Sequence, residues 1–389
     1  DYSDTENEPK SEYKKGGYHP VNLGDRIGND RYIIIHKLGW GYFSTVWLCY
    51  DYVEKVFRAI KIQKSSKDFT DAAQDEIKLL NHVMVKYREL NQVDGNVNYS
   101  NLRIVGMFDN FVVRGNNGTH MSMGFEVMGS NLLKLSEQFD FKGIPLDIVK
   151  TIMRDVLKGL DFLHTQCKII HTDIKPENIL IEESLQELEE KVSILEKEGK
   201  ISEDGCNAPK FENLPKNEQI DLTNVRVKIA DFGNSCFTDL KITDEIQTRQ
   251  YRAPEVIIGA KYFTAADIWS AGCMAYELAT GVFLFDPQPG KKYTREDDHL
   301  ALIMETLGAF PHEFISRGSR STKFFSSKGD LIRIKKLKQR SIQQNLSEKY
   351  GLTDQAAKDF TDFLLPMLEI APEKRATAQQ MLKHPFLKE

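Results

Sequence analysis

No apolar run in this sequence reaches the roughly 20 residues needed to span a bilayer, and Asp1 to Lys15 contains no apolar block of the kind that marks a secretory leader. Neither a membrane protein nor an exported one is expected. Cysteine is scarce. The five, Cys49, Cys167, Cys206, Cys236 and Cys273, are scattered, odd in number and never spaced as Cys-x-x-Cys, which argues against a disulfide framework or a zinc site and points to a reducing compartment. A cytoplasmic chain is expected, with a nuclear location also open. A dominant charge of one sign is missing too: 52 Lys plus Arg against 57 Asp plus Glu leave a net charge of -5. That balance gives no footprint for nucleic acid but suits a basic partner if the carboxylates cluster.

What is present is ordinary globular composition, 41% hydrophobic and 28% charged over 389 residues. At about 150 residues per domain, this length suggests two or three units and a monomer built from them. The densest chemistry lies in His171-Thr172-Asp173-Ile174-Lys175-Pro176-Glu177-Asn178. One short loop places an acid, a base and an amide at fixed spacing. Asp173 can accept the proton of an attacking hydroxyl, Lys175 can neutralise charge on a moving phosphoryl group, and the Asn178 side-chain oxygen can reach a metal ion. The lesser alternative for the stretch read alone is a polar turn between the apolar segments Lys168 to Ile170 and Ile179 to Ile181.

Residues 1–20 read as a weakly ordered arm whose anchors, Tyr18-His19-Pro20, come near its end. From Arg31 the sequence turns β-rich, and two strands flank Leu38-Gly39-Trp40-Gly41-Tyr42-Phe43-Ser44-Thr45-Val46, where Gly39 and Gly41 allow a close backbone approach. An ordinary hairpin has the same pattern. Lys61, in the apolar run Phe57 to Ile62, needs a counter-charge. The helical period of Asp71 to Val85 offers Glu76, with Asp75 one step round the helix. Two further strands, over 101–114 and 121–128, surround the turn Gly115-Asn116-Asn117-Gly118. Amphipathic helices are expected over Leu132 to Gln138 and Asp147 to His164. An insertion follows between Glu182 and Thr223, charged and helical in its first half, where Leu185, Leu188, Val192 and Leu195 form a short seam. A strand over Val225 to Ala230 then leads into Asp231-Phe232-Gly233.

These motifs resemble those of the protein kinases: the loop around Asp173 resembles their catalytic loop, Asp231-Phe232-Gly233 their D-F-G, and Tyr251-Arg252-Ala253-Pro254-Glu255 the end of their activation segment. The resemblance implies an α+β, bilobal fold, with an N-lobe over 21–128 and a mainly helical C-lobe over 129–389, carrying the shortened spacer 182–223 and an insert at 286–350. It implies ATP and Mg2+ as cofactors. ATP would be held by Leu38 to Val46, Ala59, Lys61 with Glu76, and the main chain of Glu126 and Met128; the metal would be held by Asn178 and Asp231, and Asp173 and Lys175 would be catalytic. Glu255 would pair with Arg375, and Asp267 would brace the catalytic loop. Thr172 stands where most kinases carry Arg, Ser44 where they carry a third glycine, and Arg58 where they usually have Val.

Within the kinases, the chain is similar to the SR-protein-specific group. That likeness rests on Gly16-Gly17-Tyr18-His19-Pro20-Val21, on the glycine-loop and catalytic-loop stretches above, and on Arg295-Glu296-Asp297-Asp298-His299-Leu300. It implies arginine/serine-rich protein substrates, docked through the carboxylates Asp298 and Glu305, with Glu296 and Asp297 beside them. Val282 stands where a relative has Asp. A solvated acidic helix start has the same composition. An arginine that waits for activation-segment phosphate is absent at Thr172, so activity without that phosphorylation is expected. A proline-directed kinase and a catalytically silent scaffold for arginine/serine-rich proteins are the alternatives.

Overall fold

The computed structural model describes residues 8–182, 222, 224–240 and 243–388. The chain divides into two compact units, Asp1–Gly129 with Glu182–Ile220, and Ser130–Ile181 with Asp221–Glu389. The fold class is α+β, with the sheet in the first unit and most helices in the second. Among the described residues, no helix is long and apolar enough to cross a membrane. The helical stretch expected over Glu182 to Lys200 lies, beyond Glu182, outside the described residues.

The first unit contains β1 (Arg26–Ile27), β2 (Tyr32–Trp40), β3 (Ser44–Asp51), β4 (Val56–Gln63), α1 (Lys67–Asn91), the small hairpin β5 (Gln92–Val93) and β6 (Asn96–Val97), then β7 (Met107–Gly115) and β8 (Gly118–Phe125). Six of these strands form one antiparallel sheet in the order β1-β2-β3-β4-β8-β7. Successive side chains of a strand point to opposite faces, and here both faces are covered. Tyr32 and Ile34 join Trp47, Cys49, Ile60 and Ile62 in one core, while Ile33 and Ile35 join Leu48, Tyr50 and Phe57 in another. That explains the unbroken apolar run at the start of β2. Helix α1 buries Ala73, Ile77, Leu80, Met84 and Tyr87 along one stripe. It is longer at both ends than its apolar period suggests, because the end turns are solvated and carry little of the stripe.

Residues 8–20 differ from the tether expected of them. Gly16 N–H donates to Asn117 O, Ser65 and Ser66 N–H donate to Gly17 O and Gly16 O, and Tyr18 is 2% exposed. Gly16 adopts φ +83°, and a Cβ on Gly17 would sit 1.9 Å from Glu12 O, so both glycines are demanded by the path of the chain.

The second unit holds α2 (Leu132–Gln138), α3 (Leu146–Phe162), β9 (Ile169–Ile170), β10 (Ile179–Ile181), β11 (Val227–Ile229), β12 (Cys236–Phe237), α4 (Pro254–Ile258), α5 (Ala265–Thr280), α6 (Arg295–Leu307), α7 (His312–Ser316), α8 (Ile342–Glu348), α9 (Asp354–Leu364) and α10 (Ala378–Met381). Helix α5 is its axis: every residue from Ala266 to Tyr276 is buried, as befits a helix that is apolar all round. Helix α3 ends in a widened π turn over Leu163–Cys167, and Lys168 closes it at φ +55°. Strands β10 and β11 pair antiparallel, as do β9 and β12.

Glu255 and Arg375 form the expected pair at 2.7 and 2.9 Å, both side chains fully buried. Arg375 also donates to the carbonyls of Ala265, Glu369 and Ile370 and stacks over Trp269. Removing one member of a buried ion pair strands the other charge. Arg375→Ala should therefore destabilise the second unit by about 3–5 kcal/mol, visible as a lowered midpoint in thermal or urea denaturation. Arg375→Ala combined with Glu255→Gln should recover part of that loss.

Candidate active site

The loop His171 to Asn178 hangs from one buried carboxylate. Asp267, in the first turn of α5, accepts the N–H groups of His171 and Thr172 at 2.8 Å each, and His164 Nε2 lies 2.8 Å from the same group. Taking two successive N–H groups onto one carboxylate bends the chain, and Thr172 adopts φ +73°, a region costly for a β-branched residue. Thr172 Oγ1 then donates to Asn234 O at 2.8 Å, and Ser235 Oγ returns a bond to His171 O at 3.0 Å. His171 Nε2 is 2.9 Å from the Ala230 carbonyl, which can only accept, so this nitrogen carries the proton. Nδ1 is left to accept the Asp173 N–H at 3.3 Å. The residues on either side of Asp231 are thereby tied to the loop.

The reactive groups form a compact set. Lys175 Nζ sits 2.8 Å from Asp173 Oδ2 and donates to Thr248 Oγ1 at 3.0 Å, and Thr248 donates to Asp173 Oδ1 at 2.7 Å. Burial alone would push the Asp173 carboxyl up, but the Lys175 charge and the hydrogen bonds from Lys175 and Thr248 outweigh it and hold the carboxyl below its ordinary range. Asp173 is thus an anion at neutral pH, fit to orient a hydroxyl and take its proton late. Asn178 Nδ2 donates to Asp173 O and Oδ2 at 2.9 and 3.1 Å, so its Oδ1 is presented as an acceptor. Ala230 N–H donates to Asn178 O, which brings the exposed Asp231, at φ +63°, to the same end of β10 and β11. Among the described residues, no cluster of three or more His, Cys, Asp or Glu could hold a metal alone. Two hard oxygen donors suit a cation that completes its shell with water and phosphate oxygens.

In the first unit, Lys61 Nζ lies 2.8 and 2.9 Å from the two oxygens of Glu76, while Asp75 pairs with Lys78. The helix face decides between the two carboxylates, since Glu76 belongs to the buried stripe of α1. Lys61 lies opposite Val46 on β3 and Met123 on β8, and Ala59 opposite Phe125. A Cβ on Gly39 or Gly41 would meet nothing within 4 Å, and neither residue has positive φ. Folding does not require these two glycines; their bare backbone leaves space that a ligand can use. Leu38, Tyr42 and Phe43 are exposed, Trp40 and Val46 half-buried, and Ser44 buried. Thr45 is fully buried, and its Oγ1 accepts from Trp47 Nε1, so its side chain serves the sheet. The Glu126 side chain accepts the Gly106 N–H at 2.7 Å, and its own N–H donates to Gly106 O. Any nucleotide contact at Glu126 and at the half-buried Met128 is left to the main chain.

The carboxylates of α6 do not form one open acidic face. Asp297 closes a capping box with Thr294 and binds Arg333 at 2.9 Å, and Glu296 binds Arg249 at 2.9 Å. Glu305 is 8% exposed and engaged by Arg340 Nε at 2.8 Å and Lys338 N–H at 2.9 Å. A docking arginine would have to displace Arg340 from it, so Glu305 lacks the openness expected of a docking group. Asp298 accepts the Gln288 N–H at 2.8 Å and has no cationic partner among the described residues. The basic run Arg333 to Arg340 supplies the cations that neutralise its neighbours.

Sequence reasoning missed four groups. Thr248 and Gln247 lie in a segment without a periodic signal. Gln247, at φ +70°, donates to Ala266 O and Ser270 Oγ and accepts the Ala253 N–H, which pins the activation segment to α5. The other two are Glu177 and Glu277. Tyr251 OH donates to Glu277 at 2.5 Å, and burial, with the charge of Glu177 adding to it, pushes the Glu277 carboxyl up to about 7. Neither glutamate has a cationic partner among the described residues.

Comparison with known proteins agrees with this arrangement. The protein kinase domain family matches residues 32–387. The chain is 44% identical to "Serine/threonine-protein kinase SRPK" of Physarum polycephalum, over 100% of this chain and 92% of that protein. It is 36% identical to human "SRSF protein kinase 3", over 99% of this chain and 91% of the relative. "Protein kinase dsk1" of Schizosaccharomyces pombe is 34% identical over 99% of this chain and 86% of its own length.

Replacing the carboxylate at the centre of the reactive set should remove most turnover. Asp173→Ala should lower kcat by about 10²–10⁴-fold in a steady-state phosphotransfer assay, with the melting temperature little changed. Thr248→Ala should cost less, because Lys175 still holds Asp173.

Proposed function

The chain belongs to the protein kinase family and, within it, to the SRPK-type serine/threonine kinases, and we propose that it transfers the ATP γ-phosphoryl group to serines in arginine/serine-rich segments of splicing-factor-like RNA-binding proteins. The observation that carries this reading is the pair Glu177 and Glu277. Glu177 is four residues beyond Asp173 in the same loop, Glu277 lies on α5, and burial with the charge of Glu177 raises the cost of ionising Glu277, with no cationic partner among the described residues. A substrate guanidinium beside the reacting serine would relieve that repulsion and pair with Glu277, with its planar fork suited to carboxylates. Asp298 offers a second open carboxylate on the same unit for arginines farther along the substrate.

In the proposed reaction the serine hydroxyl donates to Asp173, which is held as an anion and takes the proton as the new O–P bond forms and the bond to the leaving diphosphate breaks. Lys175, which already bridges Asp173 and Thr248, balances charge on the moving group. Lys61, oriented by Glu76, would neutralise the nucleotide phosphates under the open glycine loop. Magnesium is the metal we assign to Asn178 and Asp231; when bound it would neutralise phosphate charge. We further propose that no activation-segment phosphate is needed. Thr172, Ser235, Gln247 and Thr248 already fasten that segment through hydrogen bonds that need no added phosphate.

The test compares an Arg-Ser repeat peptide with a Ser-Pro peptide lacking arginine. Glu277 must be ionised to hold arginine, and it becomes so as pH rises through about 7. The KM for the Arg-Ser peptide should therefore fall between about pH 6 and pH 8, and Glu277→Gln should flatten that dependence and lower kcat/KM about tenfold, the worth of one hydrogen bond to a charged group. Equal or better use of the Ser-Pro peptide would move the assignment to a proline-directed enzyme.

Docking gives a separate outcome. Asp298→Ala should raise the KM for a long arginine/serine-rich substrate several-fold while leaving kcat for a short peptide unchanged, as read from initial rates. An unchanged KM would remove Asp298 from the docking account.

A further inference from the structure

We infer that Tyr18, in the segment that precedes the first strand, is a positioning residue for the nucleotide, acting through the glycine loop. The inference rests on the reading above that this loop covers the ATP phosphates. Tyr18 OH donates to Gly41 O at 2.7 Å, so the arm holds the loop by its backbone at one of the two residues that lack a side chain. The same carbonyl receives the Ser44 N–H, and the Gly41 N–H donates to Ser44 O, which closes the turn around Tyr42 and Phe43.

The arm can hold the loop because the arm itself is fixed. Its main chain is bound to Ser65, Ser66 and Asn117, the last also donating from Nδ2 to Tyr18 O at 2.8 Å. Lys64, one residue beyond β4, is 2% exposed and forms the hub. Its ammonium lies 4.5 Å from the Tyr18 ring centroid, 4.6 Å from that of Tyr42 and 5.5 Å from that of Phe69, and it pairs with Glu12 at 2.9 Å. A desolvated ammonium among three ring faces and one carboxylate is well satisfied. The Lys64 N–H also donates to Phe43 O, and the rings of Tyr42 and Phe43 meet Phe69 edge-on. Phe69 belongs to the first turn of α1, the helix that carries Glu76. Arm, loop and helix are therefore joined at one point, and the Tyr18 hydroxyl ties the arm directly to the backbone of the glycine loop.

A tie to the loop backbone affects how the nucleotide is held and leaves the hydroxyl-accepting machinery around Asp173 alone. Tyr18→Phe removes the hydroxyl and keeps the ring on Lys64. It should raise the KM for ATP, and the dissociation constant of a fluorescent ATP analogue, by about two- to tenfold, with kcat, the peptide KM and the melting temperature unchanged. Tyr13→Phe, in the same arm but bonded to Glu8, should leave all of these as they are. A Tyr18→Phe enzyme that binds ATP as the parent does would overturn the inference, as would equal losses in kcat and both KM values, which a general loosening of the unit produces. If the parent protein takes up no nucleotide, it is the reading of the loop that fails, and this inference fails with it.

Discussion

The Asp267 carboxylate is fully buried and accepts two successive backbone N–H groups, and the geometry of the catalytic loop follows from that demand. A carboxyl group at this depth is tolerable only with its oxygens hydrogen-bonded, so His171 and Thr172 must present their N–H groups together. That turns Thr172 into a left-handed conformation and aims its hydroxyl at Asn234. His171 is oriented toward Ala230, and Asp173 and Asn178 come to lie beside the end of β11. The strain at Thr172 is held by the α5 axis, whose residues from Ala266 to Tyr276 are all buried.

A second consequence concerns how the activation segment is ordered. In a kinase with arginine at the Thr172 position, the segment is attached by a charge pair that forms only after phosphorylation. Here the attachment is made of hydrogen bonds among unmodified groups: Thr172 to Asn234, Ser235 to His171, Gln247 to α5, and Thr248 to the Asp173 carboxylate. None needs a modification. Arg249 of the same segment is held by Glu296 of α6, and Arg333 is held by Asp297. Glu177, Glu277 and Asp298 have no cationic partner among the described residues, which is why the proposal gives them to a basic substrate.

Much of this was legible in the sequence, because fixed spacing on one loop and apolar periodicity are local properties. Lys61 on an apolar strand calls for a counter-charge, and the α1 stripe selects Glu76 over Asp75. The Glu255 to Arg375 pair and the bracing role of Asp267 also followed from motif positions. What escaped depends on contacts between distant segments. Nothing in the residues around Glu305 shows that Arg340 will occupy it, and nothing around Glu277 shows that Glu177 raises its pKa. The arm illustrates the same limit: a polar stretch with two glycines looks like a tether, yet those glycines are the price of packing the chain tightly enough to bury Tyr18.

On the reading proposed above, hydrogen bonds already present in the unmodified protein order this activation segment. The most direct measurement is the initial rate of phosphate transfer to an Arg-Ser repeat peptide by protein treated with phosphatase and shown by intact mass to carry no phosphate. Full rate is expected from the first turnover, with no lag and no gain on preincubation with ATP. A rate at least tenfold lower that recovers as the activation segment becomes phosphorylated would contradict it.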